Sequence, residues 1–342
     1  MSELRRAKLA AAGAALAAMT FALTTATASW AADKIKVSIA ATDDAIYLPF
    51  FLGVDKGFYK QLDLDVEIIF AGGGVATPAL ISGTIDFSTS GGAAVSAIIK
   101  GAPLKVIMNT SDTVPWKLWA TQPEIAKLED LKGKSVGVQT RGDLFELSMR
   151  AVLRKAGLPG DSVVYTPLGF GGTQRLAVMQ SGSLPGILVT YTEEQVAAQQ
   201  GVLGKARVLL DVGKDIKIPY NGIATSDKLL ATRPELAERF ARGTLMGVRY
   251  MVAQREGALD VLAKRAPNVP RELLRANIDD TAATMLQAGT TSQQTQQTEI
   301  SLRAAMLGMD ATQIIPTSKV FDYAPTLKAT EQLAKQGWTP AP

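Results

Sequence analysis

The chain has 342 residues, with 36 lysines and arginines against 32 acidic residues and neither a histidine nor a cysteine. So even a charge gives no electrostatic footprint for nucleic acid or an anionic membrane surface. The two missing residue types exclude Ser-His-Asp triads, thiolate nucleophiles, imidazole acid–base steps and ordinary zinc sites. No H-E-x-x-H, G-x-G-x-x-G, Walker or EF-hand pattern is present either, which favours a binding protein without metal or cofactor over an enzyme.

Residues 1–31 begin with Arg5, Arg6 and Lys8, continue through an Ala-rich apolar run and end in small residues at Ala26, Ala28, Ser29 and Ala31. This order predicts a secretory signal, cleaved on export. An exported chain stabilised by core burial instead of disulfides fits the periplasm, and roughly 310 remaining residues suggest two domains. The first elements then follow. Ile35, Val37 and Ile39 at period two mark a strand, and "DAIYLPFFLGVDKGFYKQLDL" reads as a helix ended near Gly57. "DVEIIF" is a second strand, "ATPALIS" a helix closed by Gly83, "IDFST" a third strand, "GAAVSAIIK" a helix closed by Gly101, and "LKVIMN" a fourth strand.

The same order restarts with "SVGVQ", a helix over "LFELSMRAVLRKAG", "VVYTP", "QRLAVMQSG", "GILVT", "EEQVAAQQG" and "RVLLD". Strands alternating with helices predict an α/β fold of mainly parallel sheets. At a constant offset of 99, residues 37–86 and 136–185 match at eight positions, among them Asp44 with Asp143, Gly72-Gly73 with Gly171-Gly172, and Ser82-Gly83 with Ser181-Gly182. About three matches are expected by chance, so two similar lobes are predicted. Further along, "KIPYNGIATSD" marks a return crossing, and "TRPE" (232–235) has capping-box spacing. Leu236, Phe240, Gly243, Gly247, Val248, Met251 and Val252 trace one helix face that packs into the first lobe. "TSQQTQQT" (291–298) reads as a loop or a solvated helix.

Ligands of open α/β sheets bind outside the carboxyl ends of the strands, and a pocket between domains is the default small-molecule site. The loops leaving those ends are rich in glycine and hydroxyls: Thr42 to Asp44, Gly72 to Gly74 and Ser88 to Gly92 in the first half; Thr140 to Asp143, Phe170 to Thr173 and Thr190 to Thr192 in the second. Each opens a helix, whose free N–H groups and positive dipole end attract an anion. Asp44 and Asp143 are read first as helix caps. Arg141 is the one guanidinium in these loops and suits a carboxylate or sulfonate.

In "GVDKGFYKQLDLDVEIIFAGGG", "LISGTIDFSTSGGAA", "LEDLKGKSVGV", "RLAVMQSG" and "VFDYAPTLKATEQLAKQGW", the chain resembles the periplasmic substrate-binding proteins of ABC importers for aliphatic sulfonates, taurine, nitrate and thiamine-pyrimidine precursors. The resemblance implies a two-lobed type II periplasmic binding protein fold joined by two crossings, with lobe 1 formed by residues 33–117 and 219–342 and lobe 2 by 118–218. It also implies a monomer that closes on a ligand by hinge motion, with a membrane permease and an ATPase as partners. The implied ligand positions are Asp43, Asp44 and Tyr47; Ser88, Thr89, Ser90 and Gly91; Trp116 at the first crossing; Thr140 and Arg141; and Tyr191. Pyrimidine-synthesising relatives use His and Cys, which this chain lacks, so the enzymatic branch gains no support.

The expected ligand is a small organic anion, a sulfonate or carboxylate with an aromatic or short apolar body. Arg141 and the Ser88 to Gly92 loop would take the head, and Tyr47, Trp116 and Tyr191 the body. The alternatives are an uncharged pyrimidine or thiamine precursor held by Asp43 or Asp44, and a sensor-linked binding protein of the same fold.

Overall fold

In the computed structural model, residues 32–42, 44–169 and 172–341 are described. The expected signal segment and Asp43 lie outside the described residues. Ile35, Val37, Ser38 and Ile39 are all fully buried, so strand β1 (Asp33–Ile39) is covered on both faces, as a central parallel strand must be. Asp44 caps a short 3-10 turn, Ala45–Tyr47, before helix α1 (Leu48–Asp55), which carries Pro49 in its first turn. The single helix expected over this stretch is therefore two pieces, because Pro is best placed in a first helical turn.

Strand β2 (Leu64–Phe70), helix α2 (Gly73–Ser82), β3 (Phe87–Ser88), α3 (Gly91–Ile99) and β4 (Leu104–Ser111) complete the first run. The chain then crosses to β5 (Trp116–Ala120) and builds β6 (Ser135–Val138), α4 (Leu144–Lys155), β7 (Val164–Pro167), α5 (Gly172–Ser181), β8 (Gly186–Thr190), α6 (Tyr191–Gln199), β9 (Arg207–Asp211) and α7 (Val212–Asp215). It returns as β10 (Tyr220–Ser226), and the rest is helical: α8 (Asp227–Thr232), α9 (Pro234–Ala253), α10 (Arg255–Ala263), α11 (Arg271–Ala282), α12 (Gln293–Met306), α13 (Thr317–Val320) and α14 (Ala324–Lys335).

The strands form two five-stranded sheets, ordered β2-β1-β3-β10-β4 and β7-β6-β8-β5-β9. In each sheet the fourth strand runs antiparallel and comes from a crossing: β10 pairs antiparallel with β3 and β4, and β5 with β8 and β9. The offset of 99 recurs in the register. Val37 pairs Phe87 and Ser38 pairs Ser88 in the first sheet; Val136 pairs Gly186 and Gly137 pairs Ile187 in the second. Helices α2 and α5 begin and end at the same offset. Trp116 and Lys117, placed in lobe 1 by the sequence, pair instead with β8 of the second sheet, because β5 starts where the crossing ends.

Two further expectations change. Thr232 is not a cap for α9; it is the last residue of α8, and its hydroxyl donates back to the Lys228 carbonyl. The polar "TSQQTQQT" opens α12, capped by Ser292, and Thr295, Gln296 and Glu299 of that helix are buried. Despite its polar start, α12 is covered by both lobes. Ile300 joins the apolar cluster around α3, and Leu302 joins the cluster around Trp116 and α4. Helix α9 packs as its stripe predicts, with Phe240 stacked on Phe87 and Tyr59 at centroid distances of 4.0 and 5.5 Å.

On that helix, a methyl group at Gly247 would collide with the backbone carbonyl of Pro49. Helical propensity favours Ala over Gly by about 1 kcal/mol, but overpacking against a backbone oxygen that cannot rotate away costs about 1–3 kcal/mol. Gly247→Ala is therefore expected to lower the Tm by a few degrees in calorimetry; a raised Tm would show that α1 yields freely.

Candidate functional site

The carboxyl end of β3, the loop after β6, the first turns of α2, α3 and α4, and the start of β10 converge on a cleft of about 680 Å3 that both lobes line. Close backbone approach builds it. A side chain on Gly91 would strike the backbone of Gly222, and one on Gly73 would strike Ala93, so glycine lets the N-termini of α2 and α3 reach the cleft wall side by side. Neither end is capped from within. Gly72 has no side chain to offer, and the Ser90 hydroxyl makes no cap bond. Their first N–H groups are left for a partner outside the helix.

Three buried side-chain oxygens on this wall also have no hydrogen-bond partner among the described residues: Thr77 Oγ1, Thr89 Oγ1 and Asn221 Oδ1. Buried polar atoms are nearly always satisfied, and leaving one unpaired costs about 1–3 kcal/mol. Asn221 is also one of two described non-glycine residues with positive φ, at 51°. Its Nδ2 donates to the Ile46 carbonyl at 3.2 Å and to Thr110 Oγ1 at 2.8 Å. These bonds hold a backbone conformation that Asn tolerates better than most residues, at the point where the chain re-enters the first sheet.

Across the cleft lie Thr140, Arg141, Gly142 and Asp143. Asp143 is a helix cap, accepting from the N–H groups of Glu146 at 2.9 Å and Thr140 at 2.7 Å, and burial pushes its carboxyl up. The Arg141 side chain is 58% exposed; its Nε lies 3.4 Å from Glu146 and its Nη1 donates to the Tyr165 carbonyl. Arg303, from α12, is buried at 5% exposure, with Nε donating to Glu299 at 2.8 Å and Nη1 to Ser96 Oγ at 3.3 Å. Burial raises the Glu299 carboxyl against the opposing pull of Arg303.

Among the expected site residues, the structure brings Tyr47, Thr89, Ser90, Gly91, Thr140 and Arg141 together on the cleft wall. It does not bring four others there. Ser88 is buried in the sheet, accepting from Ser38 Oγ and the Ser90 N–H. Asp44 accepts from the Ile46 N–H as a cap and is absent from the wall. Trp116 stacks on Phe145 at 4.3 Å and donates its indole N–H to Ser148 inside the second lobe. Tyr191 donates to Asp211 in a separate hollow with Lys117, Glu194 and Asp280. Sequence reading missed Thr77, Tyr220, Asn221 and Arg303. Tyr220 and Asn221 stand in the predicted crossing, but Arg303 carries no local signal, since its Glu299 partner four residues earlier reads as an ordinary surface pair.

A family model described as NMT1/THI5 like matches residues 45–258, and the chain belongs to this family. The riboflavin-binding protein RibY of Chloroflexus aurantiacus is 26% identical over 240 residues, covering 68% of this chain and 67% of that protein. Among solved structures, a putative periplasmic sulfonate-binding protein, SsuA of Methylobacillus flagellatus, is similar with a TM-score of 0.71 at 16% identity, covering 91% of this chain and 98% of its own. The periplasmic nitrate-binding protein NrtA of Synechocystis gives a TM-score of 0.65 at 16% identity, covering 90% and 91%. The fold is that of the two-lobed periplasmic binding proteins.

Burial, reinforced by the charge of Asp44, lifts the phenols of Tyr47 and Tyr220 above the ordinary tyrosine value of about 10, and burial lifts Tyr59 as well. Below pH about 10 these groups are protonated in both folded and unfolded chains. Above it the unfolded chain loses protons first, so stability falls as pH rises. The Tm is expected to be flat between about pH 8 and 9.5 and to drop beyond pH 10, with tyrosinate absorbance appearing together with unfolding. Reversible ionisation of these tyrosines near pH 10 in the folded protein would contradict their burial.

Proposed function

We propose that this protein is the solute-binding component of an ABC importer, exported to the periplasm as a monomer, and that it holds a small organic anion in the cleft between its two lobes. The observation that carries the reading is the set of unspent donors on one wall: the uncapped first turns of α2 and α3 beside the unpaired hydroxyls of Thr77 and Thr89. A carboxylate or sulfonate accepts from the helix N–H groups and from the threonine hydroxyls, and the helix dipoles favour its charge. Tyr47 and Tyr220 offer neutral aromatic surface for the body. Thr140 and Arg141 meet the ligand from the other lobe, and hinge closure over it supplies the shape that a permease and its ATPase recognise. Family membership and the fold support capture over catalysis. The same fold serves sensing, and a kinase partner in place of a permease is the alternative.

A neutral heterocycle is the second reading, favoured by the riboflavin-binding relative. Thermal-shift and calorimetric titration with benzoate, benzenesulfonate and short alkanesulfonates, against riboflavin and an aminopyrimidine, separates the two. An anion is expected to stabilise by about 4 kcal/mol at a thousandfold excess over its Kd. Thr89→Val, which deletes an unpaired buried hydroxyl, is expected to raise the Tm of the free protein and to weaken the anion about tenfold. Shifts by riboflavin or the pyrimidine alone would overturn the anion reading.

A further inference from the structure

Beyond the first turn of α3, the cleft opens into a side chamber of about 300 Å3. Ser96, Arg141, Gly142, Glu146, Arg150 and Arg303 line most of it. Three guanidiniums here meet two carboxylates, Glu146 and Glu299, so one positive charge is left uncompensated. Arg150 is committed: Nε and Nη2 donate to Glu146 at 3.0 and 2.8 Å, and Nη1 donates to the Gly160 carbonyl. Arg303 and Arg141 are not. Each spends Nε and Nη1, and among the described residues neither Nη2 makes a hydrogen bond. The two come from opposite lobes, Arg303 from α12 and Arg141 from the loop before α4. Gly92 is what admits Arg303, because a methyl group there would collide with its Nη2.

We infer that the ligand carries two acidic groups, one at the first turns of α2 and α3 and a second in the chamber between Arg303 and Arg141. This rests on the anion reading above and deepens it. Ser96 follows Gly92 by four residues, about 6 Å along the helix, so the two acids are separated by a ring or a short chain. Two guanidiniums facing one chamber repel each other across the lobes when it is empty. A carboxylate between them reverses the sign of that interaction and makes the second acid the group that favours closure.

The test is calorimetry on the full chain with benzoate and the three benzenedicarboxylates. One dicarboxylate is expected to bind about ten- to a hundredfold tighter than benzoate, the effect of one added charge-assisted group. In the double variant Arg303→Gln with Glu299→Gln, which removes the buried pair together, that ratio is expected to fall toward one. Arg141→Gln, at an exposed position, lowers the ratio without risk to folding. A dicarboxylate no tighter than benzoate, or a ratio unchanged in the Arg141 variant, overturns the two-acid inference while the single-anion reading stands. Binding of riboflavin with no binding of either acid class overturns both.

Discussion

The cleft depends on the approach of α3 to β10 at Gly91 and Gly222. Strand β10 is inserted antiparallel between β3 and β4, so the chain must leave the first sheet after β4 and return before it can complete that sheet. The detour is the second lobe. Because β10 enters beside β3, its first residues lie at the same end of the sheet as the start of α3, and glycine on both partners lets the backbones touch. A side chain at either position would push the helix end away from the wall. The uncapped N–H groups, the strained Asn221 and the joint between lobes are thus consequences of one packing contact.

Among the described residues seven buried side-chain polar atoms lack a hydrogen-bond partner, and three of them cluster here. Thr77, Thr89 and Asn221 all fall on this wall, and each lowers the stability of the free protein. A binding site tolerates this because a ligand supplies the missing partners, its acid accepting from the two threonine hydroxyls and a donor group elsewhere on it meeting Asn221 Oδ1, which converts a cost in the free state into a preference for the bound one. The same logic applies to the arginines, whose spare donors from two lobes are unfavourably placed until an anion lies between them.

Much of the fold was readable in the sequence, since period-two apolar runs closed by glycine occur twice at one offset, and that offset reappears in strand register. The walls of the cleft were readable where a strand end leads directly into a helix, as at Thr89 to Gly91 and Thr140 to Arg141. The aromatic residues were not. Trp116 and Tyr191 flank predicted loops, but alternation along β5 turns Trp116 into the second lobe's core, and α6 begins at Tyr191 itself, aiming that ring at Asp211. Ser88 looks like a rim hydroxyl until its parallel pairing with Ser38 is known. Arg303 lies more than two hundred residues from Ser96, and only the return of α12 across both lobes brings them together.

The central claim is that helix N-termini from the first lobe hold the ligand. Glycine-selective 15N labelling tests it directly, because Gly73, Gly91 and Gly92 lie at those termini and Gly213 lies beside the hydroxyl of Tyr191, which lines the other hollow. Titration with an anion that binds in calorimetry is expected to move the amide signals of Gly73, Gly91 and Gly92 most. Shifts confined to Gly213, with those three unmoved at saturation, would contradict the account.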